Sequence, residues 1–210
     1  MLVKALLRPI VKRIFRIMFV HDIYIATRRY YINYMERSSL YKKCGVKLPY
    51  WVEVKNGENI YLKPDIALGT NAKLLCTTKF LEKQYSPRIT IGYNFHATRN
   101  FTVQCANNIE IGNDVLVASD VFIIDFNHGL SADYQSYLET DLEFSDVIIE
   151  DGVWLGNSVT ILSGVRIGKK SIIAAGSVVT HNIPPYSIAA GNPAKVIKRW
   201  NKDDKRWMRI

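Results

Sequence analysis

VIIEDGVWLGNSVTILSGVRIGKKSIIAAGSVVT, residues 147–180, returns one aliphatic side chain at every sixth position: Ile149, Leu155, Ile161, Ile167, Ile173 and Val179. Six hits in one phase fit neither the 3.6 period of a helix nor the 2.0 period of a strand. Four positions after each of the first five stands a small or β-branched residue: Val153, Val159, Val165, Ser171 and Ser177. This double spacing predicts a parallel β-helix, whose coils stack so that the apolar positions form ladders down a narrow interior.

The same step recurs upstream. Ile91, Ala97, Val103 and Ile109 keep it, a slip of two residues follows, and Ile111, Val117 and Ile123 restart it. Leu62, Leu68 and Leu74, with Ile66 and Ala72 as companions, give a weaker version. The pattern predicts a β-helix over 59–183 with one large interruption, a protruding loop over 126–146. Residues 1–58 read as a basic, largely helical N-terminal region and 184–210 as a turn and basic tail ending in a short helix. Each buried Val, Leu or Ile contributes roughly 1.5–3 kcal/mol, so a few dozen such residues hold a domain of this size together.

Net charge is +9, and its distribution says more than its sum. Residues 1–48 hold eleven Lys or Arg against two acids, 49–194 hold ten against fifteen, and 195–210 hold seven against two. A mildly acidic body with basic ends points to two local anionic partners rather than to nucleic acid. Cys44, Cys76 and Cys105 are odd in number and scattered, with no metal-type spacing, which fits a reducing, cytoplasmic setting. Cys105 falls inside a repeat and reads as a small packed residue.

Residues 1–20 interleave Leu2, Leu6, Ile10, Ile14, Phe15 and Met18 with Lys4, Arg8, Lys12, Arg13 and Arg16. That is a basic amphipathic helix, kinked or broken at Pro9, too charged to span a bilayer and unlike a secretory signal. It reads either as an interfacial helix on an acidic membrane leaflet or as a helix packed on a neighbouring subunit. Residues 21–48 read as a second helix, ending near Lys47-Leu48-Pro49. Tyr24, Arg28, Arg29, Tyr30, Tyr31 and Tyr34 could stack on single-stranded nucleic acid, but no RNA-binding motif accompanies them.

An ordered series closes the chain: the Trp154 coil, Ala175-Gly176-Ser177-Val178-Val179-Thr180, Ile183-Pro184-Pro185, then Ala190-Gly191-Asn192-Pro193-Ala194-Lys195. This series resembles the hexapeptide-repeat acyltransferases, in particular the branch of maltose, galactoside and polysaccharide O-acetyltransferases, over about residues 89–199. The resemblance implies a left-handed β-helix, against the usual right-handed crossover rule. It also implies a homotrimer with active sites between subunits, acetyl-CoA as co-substrate, no metal, and a sugar hydroxyl as acceptor.

A sugar hydroxyl attacks a thioester only as its proton is removed, and histidine suits that role because imidazole titrates near neutrality. His128 ends the run Ile123-Ile124-Asp125-Phe126-Asn127-His128, where the repeat breaks. It matches the family's catalytic position, which makes it the candidate general base. Asp125, three residues earlier, is the candidate that orients the imidazole, or else a turn residue bonding its own backbone. Asn127 and Asn100 are candidate acceptor contacts.

By the same resemblance, Trp154, Asn157, Ala175, Thr180, Lys195 and Lys198 are the candidate acetyl-CoA contacts. Ala175 and Gly176 are small enough for a pantetheine arm to lie against the backbone. Lys195 and Lys198 offer charge to the phosphates, or belong to a solvated basic tail. The family often has arginine at both, and lysine gives up the bidentate geometry.

The loop carries Tyr134, Tyr137, Phe144 and five acids, the residue types that bind sugars. His128-Gly129 replaces the His-Pro of the galactoside branch, and Thr98 and Ala106 replace acceptor-contacting residues. These departures point away from simple galactosides and maltose, while the run Asp125-Phe126-Asn127-His128 resembles the polysaccharide-modifying members and implies a cell-surface polysaccharide or its precursor, which the basic N-terminus fits. The alternatives within the fold are antibiotic, serine or nucleotide-amino-sugar acceptors, or a non-enzymatic trimeric scaffold. A zinc lyase would need a third imidazole at the spacing of His96 and His128, and the sequence has none there.

Overall fold

The computed structural model describes the backbone of residues 2–133 and 135–210, with side chains from residue 19 onward in those spans. The chain divides into two compact units, Met1–Met35 and Glu36–Ile210. One helix, α1 (Leu2–Cys44), supplies all of the first unit and the start of the second. It runs through Pro9 without a break, so the two helices expected from sequence are one. It stops at Cys44 rather than near Pro49, because Gly45 takes a left-handed φ of 71° and donates its N–H back to the Tyr41 carbonyl. In the first unit Phe19, Ile23, Tyr24, Tyr30, Tyr31 and Tyr34 are exposed. The side chains expected to make residues 1–18 amphipathic lie outside the described residues, as does Tyr134. No helix among the described residues is long and apolar enough to cross a membrane.

The second unit is a parallel β-helix of three faces. The chain visits them in constant order, illustrated by Asn108–Ile111 on the first face, Leu116–Val117 on the second and Phe122–Ile124 on the third. Register explains the six-residue period: each face takes one ladder residue per coil, with the companions Val153, Val159, Val165, Ser171 and Ser177 buried two residues before it. The first face stacks Leu62, Ile91, Ile111, Ile149 and Ile167. The second stacks Leu68, Ala97, Val117, Leu155, Ile173 and Ala189. The third stacks Val54, Leu74, Val103, Ile123, Ile161 and Val179. All are buried, and together they form one continuous core.

The slip between Ile109 and Ile111 is a coil widened at the corner between the third and first faces. There Val103 and Cys105 both point inward, and so do Ile109 and Ile111. The coils also extend past the expected limits. They begin at Glu53–Lys55, where Val54 seats on Leu74, and parallel pairing continues to Ser187–Ala190.

The expected C-terminal helix is absent. Lys195–Asn201 pairs antiparallel with Ser187–Ala190, and Arg206–Arg209 pairs antiparallel with Lys195–Asn201. Burial alternates with period two along Lys195–Arg199, as it does in a strand. Trp200 and Trp207 meet edge to face across the hairpin at 5.3 Å. The Asn201 side chain accepts the N–H groups of Asp203 and Asp204 in the turn. Local turn chemistry and the open strand edge outweigh the basic composition that suggested a helix.

Candidate active site

His128 stands on a hairpin that leaves the solenoid after Ile124. Phe126–His128 pairs antiparallel with Leu142–Phe144, so that Phe126 faces Phe144, Asn127 faces Glu143 and His128 faces Leu142. His128 and Asn127 are exposed. The hairpin's root is fixed by Asp125, which is fully buried. Its Oδ1 accepts the amide of Ala106 at 2.8 Å, and its Oδ2 accepts the amide of Asn107 at 2.9 Å and the thiol of Cys105 at 3.1 Å. Its own carbonyl accepts the Ser163 hydroxyl at 2.7 Å and the Ser145 amide at 2.9 Å.

That geometry corrects two expectations. The Asp125 carboxylate is engaged by the neighbouring coil and not by the imidazole, so it anchors the hairpin rather than orienting the ring. Neither does it bond its own turn. Burial raises its pKa, and the amides of Ala106 and Asn107 pull the other way. Cys105 is more than packing. Its pKa is raised by a hydrogen bond with Cys76, by burial and by the charge of Asp125, which keeps it a thiol able to donate. Cys76 and Cys105 are in register on adjacent strands.

A second, shorter hairpin leaves the same corner on an earlier coil, after Lys73–Cys76. Its strands are Lys79–Phe80 and Lys83–Gln84. Phe80 meets the His128 ring at 5.2 Å between centroids and an interplanar angle of 69°. Tyr85 Oη accepts the amide of Leu142 at 3.2 Å, and its ring lies 6.1 Å from that of Phe144. Lys83 pairs with Asp141. Sequence reading missed this hairpin; its trace there is only the gap between Leu74 and the restart of the repeat at Ile91.

The remaining candidates fall into two places. Trp154 lies half-exposed on the outside of the second face, in a row that continues through Ile172 and Ile188 to Lys198. Asn157 and Ala175 stack at the adjoining corner, where the Gly176 amide donates to the Asn157 carbonyl at 2.8 Å. The Asn157 side chain accepts the Ser119 amide at 3.0 Å. Lys195 faces Ala190 at the end of the same face. These five share one stretch of surface. Thr180 does not; it closes a third-face strand at the other corner, its Oγ1 2.7 Å from His181 Nδ1.

Asn100 sits at the corner between the second and third faces, with Nδ2 donating to Asp120 Oδ1 at 2.6 Å. His128 emerges at the opposite end of the third-face strands, so one chain does not bring the two together. An open groove of about 580 Å³ on the first face, lined by residues including Tyr93, Glu110, Glu150 and Arg166, contains none of the candidates. Among the described residues, no group of His, Cys, Asp and Glu could hold a metal ion.

A family model described as bacterial transferase hexapeptide (six repeats) matches residues 146–181. The galactoside O-acetyltransferase of Escherichia coli (strain K12) is 34% identical over 155 residues, which cover 74% of this chain and 74% of that protein. Among solved structures, the polySia-specific acetyltransferase NeuO is 32% identical with a TM-score of 0.54, covering 74% of this chain and 71% of that one. The hexapeptide-repeat acetyltransferase VCA0836 of Vibrio cholerae, complexed with acetyl-CoA, shares the fold at 24% identity and a TM-score of 0.55, covering 84% of this chain and 86% of that one. The chain is therefore an enzyme with the left-handed parallel β-helix fold, and it belongs to the family of hexapeptide-repeat acetyltransferases.

Proposed function

We propose that this chain transfers an acetyl group from acetyl-CoA to a sugar hydroxyl of a cell-surface polysaccharide or its precursor, with His128 as general base. The observation behind this reading is the placement of His128: an exposed imidazole on a paired hairpin, rooted in a buried carboxylate, where the regular solenoid opens. Relatives that act on galactosides and on polySia, and one complexed with acetyl-CoA, support the substrate classes.

In the reaction the imidazole takes the hydroxyl proton as the oxygen attacks the thioester carbonyl. The tetrahedral intermediate collapses by breaking the C–S bond. The imidazolium then returns its proton to the departing sulfur, giving the O-acetyl ester and free CoA. The outer surface with Trp154, Asn157, Ala175, Lys195 and Lys198 is the proposed donor site, and Thr180 joins it only across a subunit boundary. The same holds for Asn100 and Asn127 around the acceptor, so a homotrimer is part of the proposal. A cytoplasmic location, with residues 1–20 resting on the inner face of the membrane, places the enzyme beside such precursors.

The test is His128→Ala, assayed by thiol release from acetyl-CoA with a panel of oligosaccharide acceptors. General acid–base catalysis is worth ~10²–10⁴-fold. A loss of that order, with the oligomer's mass unchanged by light scattering, is expected. Undiminished turnover overturns the assignment.

A further inference from the structure

We infer that Phe80 is the positioning residue for His128, and that the hairpin Lys79–Gln84 exists to present it. The inference rests on the reading of His128 as general base. A general base needs one ring orientation, commonly fixed by a polar partner on its second nitrogen. Asp125, the nearest carboxylate in sequence, is consumed by Ala106, Asn107 and Cys105. Among the described residues no polar side chain is hydrogen-bonded to the His128 ring. What touches it is the ring of Phe80, in the tilted edge arrangement that aromatic pairs favour.

Three further ties make this contact a built one. Tyr85 accepts the amide of Leu142, the residue directly opposite His128 in its own hairpin. Lys83 pairs with Asp141, the residue before Leu142. The rings of Tyr85 and Phe144 meet beyond them. The short hairpin is thus docked on the return strand of the long one, at the level of the imidazole. Phe80 restricts the sweep of the His128 side chain while adding no group that could compete for the proton.

The experiment is a double-mutant cycle in the full-length protein, with acetyl-CoA and the oligosaccharide panel as probes. Phe80→Ala is expected to lower kcat by ~10–10²-fold, the scale of a misplaced catalytic group, with KM for acetyl-CoA unchanged. Phe80→Tyr restores most of the rate. In the His128→Ala background, Phe80→Ala changes nothing further. In parallel, the NMR resonances of the His128 ring protons shift and broaden in Phe80→Ala, a readout independent of turnover. Phe80→Leu, which keeps most of the apolar volume, separates ring contact from folding of the hairpin. Wild-type kcat in Phe80→Ala beside a dead His128→Ala overturns this inference alone. An equal loss from Phe80→Ala in both backgrounds overturns it too. Full activity of His128→Ala overturns the assignment of the base and this inference with it.

Discussion

Cys105 donates its thiol to Oδ2 of Asp125 across 3.1 Å, at a corner of the solenoid where both side chains have no exposure to solvent. The carboxylate is the fixed point from which the His128 hairpin departs, so in the proposed mechanism it sets the place of the base without touching the reactants.

Asp125→Ala leaves the amides of Ala106 and Asn107 without an acceptor, while the Cys105 thiol keeps the Arg88 carbonyl. Each unsatisfied buried donor costs ~1–3 kcal/mol, so for the two amides a total of roughly 2–6 kcal/mol is expected. Urea unfolding measures it, as a shift in midpoint at constant slope. Activity falls as well, because the root of the hairpin is released.

The same residue sets a pH dependence whose sign is fixed. Burial raises the Asp125 pKa above its ordinary value of 3.8. A carboxyl with a raised folded pKa contributes its full stability below the unfolded pKa and loses it as pH rises through the folded one. The stability difference between wild type and Asp125→Asn is therefore level below about pH 3.8 and moves against the wild type above it. Unfolding curves taken across that window test the direction.

Cys76 and Cys105 are buried and Cys44 is half-buried, and the Cys105 pKa is raised. Thiolates are the reactive form. A thiol-specific reagent at neutral pH should therefore label Cys44 in the native protein and all three cysteines only in denaturant. Rapid native labelling at Cys105, located by peptide mapping, contradicts the hydrogen bond to Asp125.

Two glycines separate close approach from backbone conformation. A Cβ at Gly168 would sit on the backbone nitrogen of Pro185 and 2.6 Å from its Cα, whereas one at Gly176 would meet nothing within 4 Å. Gly176 is instead left-handed, with a φ of 71°. Gly168→Ala should cost about 3 kcal/mol or more, the upper range for overpacking. Gly176→Ala should cost roughly 1–2 kcal/mol, the strain of a left-handed side-chain residue. Thermal unfolding of the pair checks the order.

Ala175 is exposed at the corner beside Trp154's face. Ala175→Trp should raise the KM for acetyl-CoA by about tenfold or more, a loss of ~1.4 kcal/mol in binding, without altering stability. Lys198→Ala should raise it less, by an amount that shrinks in high salt. An unchanged KM in both variants removes that surface as the donor site.

The ladders were legible because each inward side chain is dictated by one repeat position, from Leu62 to Val179, and a wrong phase would expose them all. The placement of His128 at the break was legible for the same reason. The role of Asp125 was not, since its partners come from the coil before, about twenty residues away in sequence. Phe80 escaped notice because a two-strand hairpin leaves no period to read. The tail from Lys195 misled because seven basic residues in sixteen suit an exposed helix and an exposed strand equally well. Period-two burial and the Trp200–Trp207 pair are properties of the folded edge.

That edge has a consequence of its own. Stacked rungs have no natural length, and a bare last rung invites another molecule to continue the pile. On the second face the final parallel strand is followed by two running the other way, and the outermost, Arg206–Arg209, carries an arginine at either end. A newcomer of the same sense finds no matching template there, so that face cannot be lengthened by a further parallel rung.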